Sequence, residues 1–475
     1  MKKNTEFLFA FLFFSTSIFA QNFNKQIEDE INEIYKDDFL KSSMLAVSIY
    51  DLTDNKILFQ KNEKLLLTPA SNMKILTTTT ALEFLGTDYS FQTSVFHNGI
   101  VMDSICYGDI YVKGGFDPDF TTDDLDSLVL KIVNYGIKEI RGNIYGDVSN
   151  MDSLFWGSGW MWDDDPSSDF PYLTPLIIND ACVQIEYEPG EINKEVNYKI
   201  IPETNYFDVL NNSITKENAT EDFEITRDWQ SRGNEILIKG SLSSNSKKDT
   251  VKINIVNPEL YFLYLLKEKL EKQNVEFLGK LDTATAPQFA KLIYTRERKF
   301  KDVIVNLNKE SDNLSAEMTL RAIALKNLGN PASAQNGIKI IDSLINKTGL
   351  NSDDYVLADG SGISRYNLIT TELLVDLLKY MFQNSTDNYE VLKNSFPLSG
   401  VDGTLSSRMK DTKAYKNVNA KTGTLSGVSS LSGYLKSANS HDITFSIMIQ
   451  NFIGSSKKAR NIQDRICTFL SELSL

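Results

Sequence analysis

The chain has 475 residues, 41% of them hydrophobic and 24% charged, with a formal net charge of −14. A length of this order implies about two to four globular domains. The acidic balance excludes the basic face that nucleic-acid binding requires and disfavours adhesion to an anionic membrane, so neither is expected as a partner.

In chain order, Lys2 and Lys3 precede the apolar run Phe7–Phe14, and Ala20 precedes a polar stretch. This is the pattern of a cleaved export signal over residues 1–20, and it places the protein in the periplasm or outside the cell. The run is short for a spanning helix, no cysteine follows it to carry a lipid, and no later stretch is apolar enough to span, so no transmembrane anchor is expected. Residues 22–41 read as a helix with Ile27, Ile31 and Ile34 on one face. Strands follow at 45–50 and 57–59 around the turn Thr53-Asp54-Asn55-Lys56, then a helix over 72–85 stopped by Gly86. Residues 88–150 and 182–240 are strand-like, and the polar run 241–250 reads as a linker or loop. Helices are expected at 258–272, 311–328 and 371–382, strands at 428–435 and 443–450, and a last helix at 455–470. Both ends thus supply a helix and strands, which is most simply one domain built from both termini with the middle inserted into it.

Cys106, Cys182 and Cys467 are too few and too scattered for a disulfide framework. Buried free thiols are expected, with a Cys106–Cys182 bridge as the alternative. Only His97 and His441 are present, neither beside a G-x-S-x-G elbow, and both read as surface histidines. A histidine-based triad is therefore not expected, nor is a metal or other cofactor.

The chemistry points to Ser71. It lies in Pro69-Ala70-Ser71-Asn72-Met73-Lys74, at the start of the helical run. Residues three apart on a helix share a face, so Ser71 Oγ and Lys74 Nζ meet there. A serine hydroxyl needs an adjacent base, and a lysine serves if burial or a neighbouring cation, such as Lys421, lowers its pKa. The helix start also favours the developing negative charge. The same spacing recurs at Ser213, Ser244, Ser407 and Ser455, but in polar or loop-like stretches. Downstream stand Ser311-Asp312-Asn313 and Lys421-Thr422-Gly423-Thr424. A second Lys-Thr-Gly at 347–349 ends a helical pattern, where glycine suits a C-cap, whereas Lys421-Thr422-Gly423 enters a strand on which an extended substrate can pair.

S-x-x-K, S-D-N and K-T-G in this order are the signature of penicillin-binding proteins and serine β-lactamases. With the long stretch between Ser71 and Ser311, the chain resembles the class C low-molecular-mass penicillin-binding proteins, D-alanyl-D-alanine carboxypeptidase/endopeptidases of the penicillin-binding protein 4 type. Further segments carry the likeness: Gly108-Asp109-Ile110-Tyr111-Val112, Trp160-Met161-Trp162-Asp163-Asp164, Asp359-Gly360-Ser361-Gly362-Ile363-Ser364-Arg365 and Gly400-Val401-Asp402-Gly403-Thr404-Leu405.

The resemblance implies a multidomain α/β fold. A transpeptidase or β-lactamase-like domain over 21–86 and 291–475 would be interrupted by two mostly β domains, one over 87–148 and 241–290 and one nested at 149–240. It implies a serine DD-peptidase acting on peptidoglycan stem peptides and acylated by β-lactam antibiotics. Ser71 would be the nucleophile, Lys74 its base and Ser311 a proton relay. Asn313 would hold a substrate amide carbonyl, Lys421 and Thr422 with Gly423 the terminal carboxylate, and the Ser71 and Thr424 amides the oxyanion. Arg365 and Asp164 would recognise the substrate, the acid through a side-chain amine, with Asp163 and Asp165 as alternatives to Asp164. The rival readings are a β-lactamase and a catalytically silent peptidoglycan-binding protein. The sequence carries no signal of oligomeric state.

Overall fold

The computed structural model describes residues 25–475. The expected export signal at 1–20, and the first residues of the helix expected from 22, lie outside them. The chain divides into two compact units, one of residues up to 87, 304–312 and 338–475, the other of residues 88–303 and 313–337.

The first unit is built on one antiparallel sheet. Its strand order is Asn419–Leu425, Val428–Lys436, Asp442–Gln450, Met44–Asp51, Lys56–Lys61. Met44 pairs with Gln450 and Asp51 with Ile443, so the first strand lies beside the last. Strand periodicity sorts the side chains onto two faces. Leu45, Val47, Ile49, Leu431, Phe445 and Ile447 pack with Ile27, Ile31, Ile34, Ala459, Ile462, Ile466 and Leu470, the apolar faces of the helical residues 25–34 and the helix Lys457–Glu472. The opposite face is lined with small hydroxyl residues, Ser48, Ser430, Ser432 and Ser446, all buried. Their size lets backbone approach the sheet: Ser430 Oγ donates to Pro69 O at 2.6 Å, and Asn72 Nδ2 donates to Ser432 Oγ at 2.7 Å.

That approach seats the helix Met73–Phe84, which is buried from Met73 to Leu82. Four consecutive threonines, Thr77–Thr80, are poor helix formers, so packing rather than propensity holds this helix. The helix Thr371–Asn384 covers the same face, where Tyr434 donates to Leu378 O at 2.8 Å.

The second unit contains a five-stranded sheet ordered Leu281–Thr283, Ile144–Asp147, Ile110–Lys113, Ser90–His97, Lys291–Lys299. The join expected at residue 291 is therefore the start of a strand paired antiparallel with Ser90–His97 in this unit. Its core packs Val95, Ile110 and Val112 against Leu125, Leu128 and Ile132 of the helix Thr122–Asn134 and Phe262, Leu263 and Leu266 of the helix Pro258–Lys272. Thr121 opens the first of these helices with a capping box, accepting from Asp124 N while Asp124 accepts from Thr121 N. Two further three-stranded sheets lie between residues 182 and 254.

Several expectations need correction. The run 241–250 is not a linker: it contains the end of the strand Ile236–Ser243 and the start of Asp249–Asn254, joined by a short turn. His97 is not a surface residue; it is buried and lies 3.0 Å from the Tyr135 hydroxyl. The helix expected from 311 begins at Asn313. All three cysteines are free and buried, as the composition suggested.

Candidate active site

Ser71 sits in a short 3-10 turn, Ala70–Asn72, that runs directly into the helix Met73–Phe84. Ala70 adopts φ 49°, a left-handed conformation unusual for alanine. One turn on, Lys74 is fully buried, and its Nζ donates to Ser71 Oγ at 3.0 Å and to Ser361 O at 2.8 Å. The i, i+3 spacing on the helix start delivers the pairing expected of these two residues.

Ser311 follows a π-helical turn, Asn306–Glu310, and has φ 63°, ψ 33°. A non-glycine residue in this region is strained and persists only where its surroundings fix it. Here Lys309 forms an ion pair with Asp402, whose other carboxylate oxygen accepts from Leu398 N at 2.8 Å. A Cβ on Gly403 would meet Lys309 O at 2.5 Å, so the Gly400–Leu405 segment rests directly on the backbone before Ser311.

The Lys421 strand completes the row. Lys421 Nζ donates to Ser311 Oγ at 2.8 Å and to Thr422 O at 2.9 Å. Lys421 is fully buried; desolvation first, and the Lys74 charge second, push its pKa well below the ordinary lysine range. Two buried lysines near one another disfavour a full charge on both. Lys421 is thus driven toward the neutral form, where the sequence suggested it as the cation that lowers Lys74.

Thr422 Oγ1 donates to Thr404 Oγ1 at 2.7 Å. A Cβ on Gly423 would lie 2.2 Å from Ser430 Oγ, 2.8 Å from Pro69 O and 3.0 Å from Ser71 N, so only glycine lets this strand pass beneath the serine. Thr424 is exposed. From Lys421 onward no strand pairs with the outer edge of Asn419–Leu425 among the described residues, which leaves a template for an extended peptide. Arg365 is exposed and donates to Ser426 O at 3.1 Å, in the turn that ends this strand.

Asn313 and Asp164 belong to the second unit. Asn313 opens the helix Asn313–Leu328, and its Nδ2 donates to Asp169 O at 2.8 Å. Asp164 accepts from Met161 N at 2.7 Å and so closes its own turn. Asp165 is buried in an ion pair with Arg227 and accepts from Tyr172 Oη at 2.9 Å, which commits it to structure; Asp163 is exposed.

In sequence, Asp359-Gly360-Ser361-Gly362 carries only a family likeness. In the structure it forms the loop that reaches Lys74 and the helix behind it, with Thr77 Oγ1 donating to Gly360 O at 2.7 Å. Nothing in a side-chain pattern announces a backbone carbonyl as a partner; the glycines on either side of Ser361 were the available signal.

The decoys behave differently. Gly349 follows the helix Ala334–Lys347 with φ 92°, as a C-cap glycine does. Asp51, Asp54 and His441 place ligand-type atoms within 4.8 Å of one another, but Lys56 Nζ lies 2.7 Å from Asp54 and 3.8 Å from Asp51 and already supplies the positive charge.

A serine and two buried lysines in this pattern, beside an open sheet edge, are the arrangement of the serine acyl-transfer enzymes that carry the three motifs. The model of the D-Ala-D-Ala carboxypeptidase 3 (S13) family matches residues 27–473, and the chain belongs to that family. It is 29% identical over 409 residues to the D-alanyl-D-alanine carboxypeptidase DacB of Haemophilus influenzae, covering 85% of this chain and 84% of the relative. It is 28% identical to the D-alanyl-D-alanine carboxypeptidase of Actinomadura sp. strain R39, covering 94% of this chain and 85% of that one. The crystal structure of penicillin-binding protein 4 from Haemophilus influenzae superposes with a TM-score of 0.82 at 27% identity, covering 91% of this chain and 97% of that one. The same protein complexed with a β-lactam superposes with a TM-score of 0.75 at 26% identity, over 90% and 96% of the two chains.

Proposed function

We infer that this chain is a serine DD-peptidase that acts on D-Ala-D-Ala termini or D-alanyl cross-links of peptidoglycan through an acyl-enzyme, and that β-lactams acylate the same site. The observation that carries the reading is the hydrogen-bonded row of Ser71 with Lys74 and of Ser311 with Lys421.

In this reading Lys74 is the neutral member of the lysine pair when Ser71 Oγ attacks the carbonyl carbon of the penultimate D-alanine, and the serine proton passes to it. The carbonyl oxygen becomes an oxyanion facing the Ser71 and Thr424 amides. As the C–N bond breaks, the leaving amine takes a proton relayed through Ser311 from the lysine pair. Water then attacks the ester, releasing the shortened peptide and returning Ser71. A β-lactam follows the first half of this path: its ring amide opens onto Ser71 and the acyl group stays.

Lys421, Thr422 and Gly423 are assigned to the substrate's terminal carboxylate, and Arg365 to substrate recognition at the end of the same strand. Asn313 as amide holder and Asp164 as amine acceptor rest on the family resemblance alone. We further propose that the protein is exported to the periplasm, and that the inserted middle of the chain shapes substrate choice. Among the described residues no helix is long and apolar enough to cross a membrane.

The test is intact-protein mass spectrometry after incubation with penicillin, followed by peptide mapping. The expected result is one stable adduct on Ser71. Rapid turnover of the adduct would make the protein a β-lactamase, and absence of any adduct on folded protein would make it a silent binder.

A further inference from the structure

The Asp359 loop is tied together by its first residue. Asp359 is buried, and its carboxylate accepts from four donors: Gly362 N at 2.8 Å and Asn367 Nδ2 at 2.7 Å on Oδ1, and Ser364 N at 2.7 Å and Ser361 Oγ at 3.3 Å on Oδ2. Asn367 closes the loop from its far end, accepting from Ala358 N at 2.8 Å. Gly362 has φ 86°, and a Cβ there would lie 1.9 Å from Ala70 O and 2.7 Å from Met73 Cβ. The loop is thus pressed onto Ala70 and Met73, on either side of Ser71, and within it the Ser361 carbonyl accepts a hydrogen bond from Lys74 Nζ at 2.8 Å.

We propose that Asp359 is a positioning residue for acyl transfer: by shaping this loop it aims the Ser361 carbonyl at Lys74 and so sets both the orientation and the proton affinity of the amine that faces Ser71. The proposal rests on the reading of Lys74 as the base. A carbonyl accepting from Nζ favours the ammonium over the neutral amine. It also fixes one N–H direction, which orients the remaining positions on nitrogen relative to Ser71 Oγ. The carboxylate is suited to this task because Oδ1 and Oδ2 each accept from a backbone N–H, whereas an asparagine in either orientation would turn an NH₂ group toward one of them.

The experiment compares acylation by penicillin across pH in wild type, Asp359→Asn and Thr77→Val, with thermal unfolding recorded for each. In Asp359→Asn the plateau rate should fall about tenfold or more, the low end of what general-base catalysis contributes. The midpoint of the acid limb should move to lower pH by roughly half a unit or more, because the ammonium has lost an acceptor. A purely structural loss lowers the amount of active protein and leaves the midpoint in place, so a folded Asp359→Asn protein with the wild-type midpoint overturns the proposal. Should that variant not fold, Thr77→Val decides: it removes only the bond to Gly360 O at nearly constant shape. A smaller shift of the same sign supports the proposal, and an unmoved midpoint overturns it. Lys74→Arg, assayed in parallel, separates the two ideas. Normal acylation there removes the base assignment itself, while a dead Lys74→Arg beside an unmoved Asp359→Asn midpoint removes only the role of Asp359.

Discussion

Two buried clusters, one in each unit, handle charge in opposite ways. In the second unit the buried carboxylates of Asp117, Asp124 and Asp165 face cations. Arg298 lies 2.8 Å from Asp117 and 2.5 Å from Asp124, Arg296 lies 2.7 Å from Asp124, and Arg227 meets Asp165. In the first unit two lysines, Lys74 and Lys421, are both buried and bond to serine hydroxyls and backbone carbonyls. Opposite charges buried together hold a shape; like charges buried together cost stability and displace a pKa, which is what a base near neutral pH requires.

The sharpest way to break this contrast is at the serine. Ser71→Ala should abolish covalent labelling by a fluorescent penicillin while circular dichroism stays that of wild type; labelling mapped to another serine would move the site. Next in size, Lys74→Arg keeps a cation but cannot release its proton, so the acylation rate should fall on the order of a hundredfold or more in stopped-flow labelling.

On the other side of the comparison, Arg227→Met strands Asp165 in the interior of the second unit. Denaturant unfolding should show a loss of about 3–5 kcal/mol, as for a buried pair broken on one side. Labelling of the protein that remains folded should be unaffected. Asp164→Asn tests whether any carboxylate of that turn serves the substrate instead. The ratio of kcat/KM for an amine-bearing peptide to that for its acetylated form should drop by the equivalent of about 1.5–3 kcal/mol. An unchanged ratio transfers the role to exposed Asp163.

The smallest effect is a slope. Lys421 has a lower pKa folded than unfolded, so the unfolded chain binds more protons between the two values and stability rises with pH across that window. Stability is correspondingly lost as pH falls from the ordinary lysine value toward the lowered one. Lys421→Met should flatten the slope in unfolding curves taken through the alkaline range, and a slope equal to wild type would mean that Lys421 stays charged when folded.

Much of this was legible beforehand because it rests on local pattern. The strands at 44–51, 428–436 and 442–450 and the helix at 457–472 follow from periodicity within a residue or two, and Ser71 and Lys74 meet because three residues on a helix make most of a turn. What escaped depends on partners distant in the chain. The pairing of Lys291–Lys299 with Ser90–His97 is set by packing, not by composition at residue 291. Burial of His97 reflects the tertiary neighbour Tyr135. The left-handed turn at Ser311 is enforced by Lys309, Asp402 and Gly403, none of which looks special alone. The role of Ser361 is carried by a carbonyl that every residue possesses.

The pairing of Met44–Asp51 with Asp442–Gln450 has a consequence in time. The strand Met44–Asp51 finds this neighbour only after Asp442–Gln450 has left the ribosome, because sheet contacts this distant in sequence form late. Most of the second unit, by contrast, is complete by residue 303. A nascent chain therefore carries Ser71 and Lys74 long before Lys421 joins them, and reactivity waits for the strands that follow.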